Sequence, residues 1–169
     1  MSKVTLLGIW IPLYNEDIAP LFQTLTLMGL KEGQTLLDLG SGDGKVVLAA
    51  ALSGLQATGI EIDPELISIA KEVQVSQEIK NARFIEGNYF DYSWEGYDYI
   101  FTNPDKTFFR GMEEKLQREL TGILVVYGDH FLPQQLELTT TIPLGPINVR
   151  IYCKTAGSTI SDKNMRHRV

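Results

Sequence analysis

Cysteine is nearly absent from this chain, which has one, Cys153, in 169 residues. A single cysteine excludes an intramolecular disulfide and a zinc site built from several cysteines. No apolar run reaches the roughly 18–20 residues that a membrane-spanning helix requires. The first residues also lack the apolar stretch and small-residue cleavage site of a secretory signal. We therefore expect a cytoplasmic protein with no membrane partner.

Basic residues are outnumbered, with 15 Lys and Arg against 21 Asp and Glu, for a formal net charge of −6. An acidic surface repels phosphate backbones and attracts basic partners, which lowers the expectation of a nucleic-acid substrate. Hydrophobic residues at 44% and charged residues at 21% are typical of a globular protein. We expect one domain over 1–169, with an N-terminal strap and helix in 1–33, a core in 34–155 and a polar tail in 156–169.

Short apolar runs alternate with segments of helical periodicity along most of the chain. This alternation predicts a parallel sheet with right-handed helical crossovers. The predicted strands are 35–39, 57–62, 82–86, 97–102 and 122–127, and the predicted helices are 15–28, 45–53, 64–78 and 107–120.

The C-terminal part has a different pattern, with two alternating runs and no helix between them. Leu136, Leu138, Thr140 and Ile142 share one face of the first run, Ile147, Val149, Ile151 and Cys153 share one face of the second, and residues 143–146 carry a turn signal. These runs should pair as an antiparallel hairpin. The predicted fold class is α/β, a doubly wound seven-stranded sheet that is mostly parallel and ends in this β6–β7 hairpin.

The chemistry is centred on a glycine-rich turn after the first strand. Gly40, Gly42 and Gly44 let the backbone approach a ligand where a Cβ would collide, and the helix that follows points its first amides at the same place. Glu61 ends the second strand, beside this turn, where a carboxylate can accept both hydroxyls of a ribose. The combination predicts a nucleoside-containing ligand.

The glycine spacing indicates which kind of nucleoside-containing ligand the turn binds. A dinucleotide site has Gly-x-Gly-x-x-Gly, whereas here the third glycine comes one residue early and Lys45 follows, which disfavours a dinucleotide oxidoreductase. The turn preceded by Asp38 resembles motif I of the class I, seven-β-strand S-adenosylmethionine-dependent methyltransferases. Their Rossmann-like sheet also ends in a hairpin, so the resemblance covers nearly the whole chain.

This resemblance implies a cofactor site. Asp38 would orient the amino end of S-adenosylmethionine, and Glu61 would bind its ribose. The adenine would lie after the third strand, where Asn88 can recognise its exocyclic amine and Tyr89 or Ile62 can cover a ring face. The turn residues that would line the methionine moiety are Gly40, Ser41, Gly42 and Gly44.

The loop after the fourth strand should face the transferred methyl group, since ligands of this fold lie beyond the carboxyl ends of the strands. Asn103-Pro104 resembles the Asn-Pro-Pro-aromatic motif of methyltransferases that act on planar amides and base amines, although Asp105 stands where that motif continues. Asn103 would contact both cofactor and target nitrogen. Asp129, after the fifth strand, could position a cation or accept a proton. Asn103, Asp105 and Asp129 are thus the candidate catalytic residues, and no metal site is expected.

The overall layout resembles the small archaeal-type protein-lysine methyltransferases and their mitochondrial relatives. The segments that carry this resemblance are 10–12, 40–50, 59–62, 87–90 and 114–120. It implies methyl transfer to lysines of a basic protein substrate. A methyltransferase for a small molecule or an RNA base remains an alternative, as does a non-catalytic domain that only binds S-adenosylmethionine.

Overall fold

The computed structural model describes residues 21–22, 25–26, 29–104 and 111–155. Residues 21–22 and 25–26 are helical, as the predicted helix over 15–28 requires, and Leu21, Phe22 and Leu25 are buried in the core. The predicted strap at 10–12, the candidate Asp105 and the tail over 156–169 lie outside the described residues.

The described residues form seven strands, three α-helices and one 3-10 turn at Tyr89–Asp91. In chain order they are β1 (Thr35–Leu39), α1 (Lys45–Leu52), β2 (Gln56–Glu61), α2 (Pro64–Ser76), β3 (Ala82–Glu86), β4 (Tyr99–Thr102), α3 (Met112–Glu119), β5 (Ile123–Tyr127), β6 (Glu137–Leu144) and β7 (Ile147–Cys153). Within this described part, no helix is both long and apolar enough to span a bilayer.

All seven strands belong to one sheet, in the order β3-β2-β1-β4-β5-β7-β6. The first five are parallel, β5 pairs with β7 antiparallel, and β7 pairs with β6 antiparallel. The predicted α/β class, the mostly parallel sheet and the terminal hairpin are confirmed. The strand order reverses at β1, and such a reversal is where open α/β sheets bind ligands.

Successive residues of the central strands pack on opposite faces of the sheet. Leu36 belongs to a core cluster with α1 and α2, whereas Leu37 belongs to a second cluster with α3. Val125 and Leu124 divide in the same way on β5. Because both faces are covered, the central strands are apolar at nearly every position, as parallel strands usually are.

Helix α2 begins with a capping residue of a type that commonly precedes helices. The side chain of Asp63 accepts a hydrogen bond of 2.9 Å from the backbone N–H of Glu65, and Pro64 occupies the first helical position. The cap follows directly on β2, so it fixes the chain direction just after Glu61.

Three predicted details are wrong. Strand β4 begins at Tyr99 rather than at residue 97. Strand β6 continues through Pro143 to Leu144, so the turn holds only residues 145–146. The pairing of β6 with β7 shifts between Leu138 and Thr140, and this irregularity leaves Leu138 50% exposed instead of aligned on the buried face.

Candidate active site

The carboxyl ends of β1, β2 and β4 reach the same level at one edge of the sheet. Leu39 of β1 pairs with Ile60 of β2 on one side and with Thr102 of β4 on the other. Each of these three is followed directly by a predicted site residue, namely Gly40, Glu61 and Asn103. The register therefore brings the three predicted positions to one edge.

The first two glycines of the turn border open space. Gly40 has φ +79° and Gly42 has φ +54°, both in the left-handed region that favours glycine. Among the residues that the structure describes, a Cβ added at either position would meet nothing within 4 Å. The turn therefore presents bare backbone towards a space that side chains would otherwise occupy.

Gly44, the third glycine of the turn, has a packing role. A Cβ at Gly44 would lie 2.7 Å from the ring of Phe84 on β3 and 2.8 Å from Cβ of Ala70 on α2. The missing side chain thus allows α1 to pack closely against both elements. Gly44 supports the turn from beneath and is not among the residues that line the cleft described below.

Backbone amides fix the carboxylate of Glu61. Its Oε2 accepts a hydrogen bond of 2.9 Å from the N–H of Gly42, and its Oε1 accepts bonds of 2.8 and 3.0 Å from the N–H groups of Ile62 and Asp63. Each carboxylate oxygen can accept two hydrogen bonds. Glu61 is therefore held in place and keeps acceptor capacity at Oε2.

Asp38 lies beneath the glycine turn and is 2% exposed. Burial raises the pKa of the Asp38 carboxyl to about 8, and the negative charges of Glu61 and Asp43 contribute in the same direction. The carboxyl is therefore held mainly in its neutral form at pH 7. A positive charge brought close to it would favour the ionised form instead.

Ser41 is also buried, and its hydroxyl is a possible ligand contact. Its Oγ has no hydrogen-bond partner among the residues that the structure describes. Its side chain packs over Gly59, where an added Cβ would lie 2.6 Å from Cβ and Oγ of Ser41. A buried unpaired hydroxyl costs about 1–3 kcal/mol. A ligand group that bonds to this atom would recover that cost.

A cleft of about 470 Å³ opens beside the turn. Five of the predicted cofactor-binding residues line it, namely Gly40, Glu61, Ile62, Asn88 and Tyr89. Gly87 and Phe90 complete the lining and were not predicted as site residues, although they flank two residues that were. Ile62 is 69% exposed and lines the cleft, so its apolar surface is accessible to a ligand there.

The wall of the cleft after β3 is a short aromatic turn. The side chain of Asn88 accepts a hydrogen bond of 3.0 Å from the N–H of Phe90 and so caps the 3-10 turn. The rings of Tyr89 and Phe90 lie 5.0 Å apart, centroid to centroid. Asn88 thus has a structural role in addition to the proposed recognition of adenine.

A buried ion pair beneath this wall was missed by the sequence reasoning. Lys115 and Glu119 of α3 are 8% and 7% exposed, and Nζ of Lys115 lies 2.8 Å from Oε2 of Glu119. Burial alone would raise the pKa of the Glu119 carboxyl, but hydrogen bonds from Lys115, the Trp94 amide and Arg118 outweigh it and lower the pKa to about 2. Glu119 is therefore held as a carboxylate.

The rim formed by β4 and β5 lies outside the cleft lining. Asn103 is exposed directly after β4, and Asp105 is outside the described residues. Asp129 is ion-paired with Arg150 of β7, which also donates a hydrogen bond of 3.0 Å to the carbonyl of Gly128. The structure thus brings Asn103 to the predicted edge, but it ties Asp129 to a neighbouring strand.

A doubly wound sheet with this strand order, a glycine turn after β1 and an acid at the end of β2 defines a class I methyltransferase fold. The family model described as the ANTKMT methyltransferase domain matches residues 38–135, more than half of the chain. The chain belongs to this family. Its membership and its fold confirm the predicted class, an S-adenosylmethionine-dependent methyltransferase.

Curated relatives match about half of the chain. A lysine N-methyltransferase of Caenorhabditis elegans, named for a subunit of ATP synthase, is 36% identical over 86 residues, which cover 48% of this chain and 45% of that protein. The release factor glutamine methyltransferase of Fusobacterium nucleatum is 36% identical over 102 residues, which cover 57% of this chain and 28% of that protein. The chain therefore spans less than half the length of these relatives.

The fold is also found in solved structures. An RNA methyltransferase of Salinibacter ruber, crystallised with S-adenosylhomocysteine, superposes with a TM-score of 0.63 at 24% identity. The match covers 79% of this chain and 89% of that one. At 24% identity, this structural similarity is evidence for the fold alone.

Proposed function

We propose that this chain transfers a methyl group from S-adenosylmethionine to the side-chain amine of lysine in a protein substrate. The observation that carries the proposal is the matched family segment, residues 38–135, which contains the whole cleft lining. A lysine N-methyltransferase that is 36% identical over 86 residues supports it. The net charge of −6 supports a basic substrate. The proposal therefore names a class of substrate, proteins that bear lysine, and not an individual protein.

The residues that line the cleft, together with Ser41 and Gly42 of the adjoining turn, fit the cofactor. Bare backbone at Gly40 and Gly42 accommodates the methionine moiety, and the unpaired Oγ of Ser41 offers it a buried hydrogen-bonding partner. Glu61 presents a fixed carboxylate to the ribose hydroxyls. Asn88, Tyr89 and Ile62 enclose the adenine, and the exposed apolar surface of Ile62 supports that role.

Asp38 is assigned to the cationic amino end of the cofactor. Burial, together with the nearby negative charges of Glu61 and Asp43, raises the pKa of its carboxyl and holds it in the neutral form. An ammonium group brought next to it would favour ionisation, and the resulting ion pair would be shielded from water. Asp38 thus gives the site selectivity for a ligand with a positive charge at that end.

When bound, S-adenosylmethionine supplies an electrophilic methyl group on a sulfonium, which is a good leaving group. The protein then contributes positioning and exclusion of water. We assign Asn103 to hold the target nitrogen at the edge where β1 and β4 end. Asp105 and Asp129 are assigned to the rim that receives the substrate cation.

A methyltransferase for a planar amide is the second candidate. The observation that favours it is Asn103-Pro104 at the carboxyl end of β4, together with 36% identity to a release factor glutamine methyltransferase. Asp105 takes the position of the second proline, and Lys106 takes the position of the ring that would stack on a planar group. A lysine amine has no plane to stack, so this departure favours the first candidate.

The test is methyl transfer from tritiated S-adenosylmethionine by the purified chain to three pools: basic proteins, total RNA and a metabolite extract. Labelled protein is then hydrolysed with enzymes that leave amides intact, and its amino acids are separated. We expect the label in methylated lysine, and none after the lysines of the substrate have been acetylated. Label in methylglutamine would establish the second candidate instead.

Gly42→Val provides the control for this experiment. A β-branched side chain at φ +54° would project into the space assigned to the cofactor. This variant should transfer no label. Label confined to RNA or small molecules would refute the lysine assignment, and cofactor binding without transfer to any pool would identify a non-catalytic binding domain.

A further inference from the structure

Trp94 connects helix α3 to the aromatic wall of the cleft. It is completely buried, and its indole N–H donates a hydrogen bond of 2.9 Å to the carbonyl of Tyr89. Its ring lies 6.1 Å from that of Tyr89 and 5.8 Å from that of Phe90, between centroids. Because Tyr89 and Phe90 line the cleft, the position of Trp94 determines where this wall stands.

Two charged residues of α3 hold Trp94 in turn. Oε2 of Glu119 accepts a hydrogen bond of 3.0 Å from the backbone N–H of Trp94. Nζ of Lys115 lies 4.8 Å from the centroid of the Trp94 ring, within the range of a cation–π interaction. The same Nζ lies 2.8 Å from Oε2 of Glu119, so the cation is bound on two sides.

A stability role alone accounts poorly for this arrangement. A buried ion pair gains little over well-packed apolar residues, since desolvation of both charges offsets their attraction. An i, i+4 pair also forms readily on an exposed helix face, where it needs no burial. Here both charges are directed at one tryptophan, and that tryptophan is bonded to the backbone of the cleft wall.

We infer that Lys115 and Glu119 are positioning residues for the adenine end of the cofactor, acting through Trp94. The inference rests on the proposed placement of S-adenosylmethionine in the cleft. Neither residue lines the cleft, so both act through the Tyr89 carbonyl and the two aromatic rings. Loss of either charge would release Trp94 and loosen the wall that encloses adenine.

The experiment measures dissociation constants by calorimetry with two probes, S-adenosylhomocysteine and 5′-methylthioadenosine. The second probe carries the adenosine but lacks the amino acid. We expect Glu119→Gln, Lys115→Met and Trp94→Phe to raise both dissociation constants by the same factor, about fivefold or more, as each loses a contact that fixes the wall. Lys115→Arg keeps a cation that can interact with the ring and should lose less affinity than Lys115→Met.

Leu116→Ala is the matched control, because Leu116 is buried on the same helix and in the same core cluster as Trp94. It should lower the unfolding temperature at least as much as the charge variants but leave both dissociation constants within about twofold. Equal losses of affinity in Leu116→Ala and Glu119→Gln would overturn the inference, since general destabilisation would then explain both. If Glu119→Gln does not fold, the dissociation constants of Lys115→Met and Trp94→Phe test the inference in its place.

Failure of this inference differs from failure of the proposed function. If the wild-type chain binds neither probe, the cofactor placement is wrong. If the wild type binds both and the three variants bind equally well, the placement stands and the positioning role is wrong. Loss of affinity for S-adenosylhomocysteine alone would place the effect at the amino-acid end and would also overturn the inference.

Discussion

The backbone N–H of Gly42 donates a hydrogen bond of 2.9 Å to Oε2 of Glu61 and so joins the glycine turn after β1 to the acid that ends β2. The two residues belong to different parts of the chain, yet the bond joins the parts of the site that we propose hold the methionine moiety and the ribose. A change in either residue therefore affects the other.

Glu61→Ala should weaken binding of S-adenosylhomocysteine. The variant loses charge-assisted hydrogen bonds to the ribose, worth about 1.5–3 kcal/mol, and it also releases the Gly42 amide. Calorimetric titration measures the effect. Glu65→Ala, an exposed acid in the first turn of α2, serves as the control and should bind like wild type. Equal affinity in both variants would show that the ribose lies elsewhere.

Gly42→Ala and Gly44→Ala should separate binding from folding. Both place a side chain in the left-handed region, at a cost of about 1–2 kcal/mol. Only Gly44→Ala also collides with Phe84 and Ala70, and overpacking adds about 1–3 kcal/mol. Denaturant unfolding should therefore show Gly44→Ala as the less stable, whereas calorimetry should show that Gly42→Ala loses cofactor affinity. Equal stability of the two would contradict the packing role of Gly44.

Asp38 should make stability depend on pH. Its pKa is about 8 in the folded chain, against an ordinary value of 3.8. Between these values the folded state keeps a proton that the unfolded state has lost, so stability falls as pH rises, by at most about 1.4 kcal/mol per pH unit. The contribution is fully present below about pH 4 and is lost above about pH 8. Asp38→Asn should remove this slope, as measured by denaturant unfolding between pH 5 and 9.

The raised pKa of Asp38 also predicts that a proton is released when the cofactor binds. An ammonium group next to Asp38 favours its carboxylate, so binding at pH 7 should release a proton that the free protein holds. Titration calorimetry in buffers with different enthalpies of ionisation measures this release. Asp38→Asn should release none. A release that persists in Asp38→Asn would assign the proton to another group.

Asn103→Ala should affect turnover more than cofactor binding. Asn103 is exposed at the end of β4 and lies outside the cleft lining. We expect the dissociation constant of S-adenosylhomocysteine to stay within about twofold, while kcat falls roughly 10- to 100-fold because the target nitrogen is no longer held. Single-turnover assays separate the two effects. An unchanged kcat would remove Asn103 from the catalytic assignment.

The edge of the sheet to which we assign the cofactor could be predicted from the sequence because its determinants are local. The bounds of β1 and β3 follow from apolar runs, and Gly40 and Glu61 are each the residue at a strand end. Parallel register then places them side by side without further information. The lining of the cleft could be predicted to the same extent, since Asn88 and Tyr89 also follow a strand closely.

Features that depend on long-range packing could not be predicted. Lys115 and Glu119 have the i, i+4 spacing of an ordinary exposed helix pair, and nothing in the chain indicates that Trp94, far away in sequence, lies beneath them. Pro143 indicated a turn, yet β6 is an edge strand where a missing N–H is tolerated. In both cases the neighbouring element, rather than the local residues, determined the result.

Helix α3 is bonded near both of its ends to segments outside the helix. Glu119 binds the Trp94 amide, while Glu113, near the start of the helix, accepts hydrogen bonds from the backbone amides of Gln134 and Gln135, beyond β5. A shift of this one helix would move the adenine wall and the segment after the β5 rim together. If a substrate displaces that segment, its affinity and that of the cofactor must then change by the same factor, since linkage is reciprocal. Measured in either order, the cooperativity between the two ligands would report on the rigidity of α3.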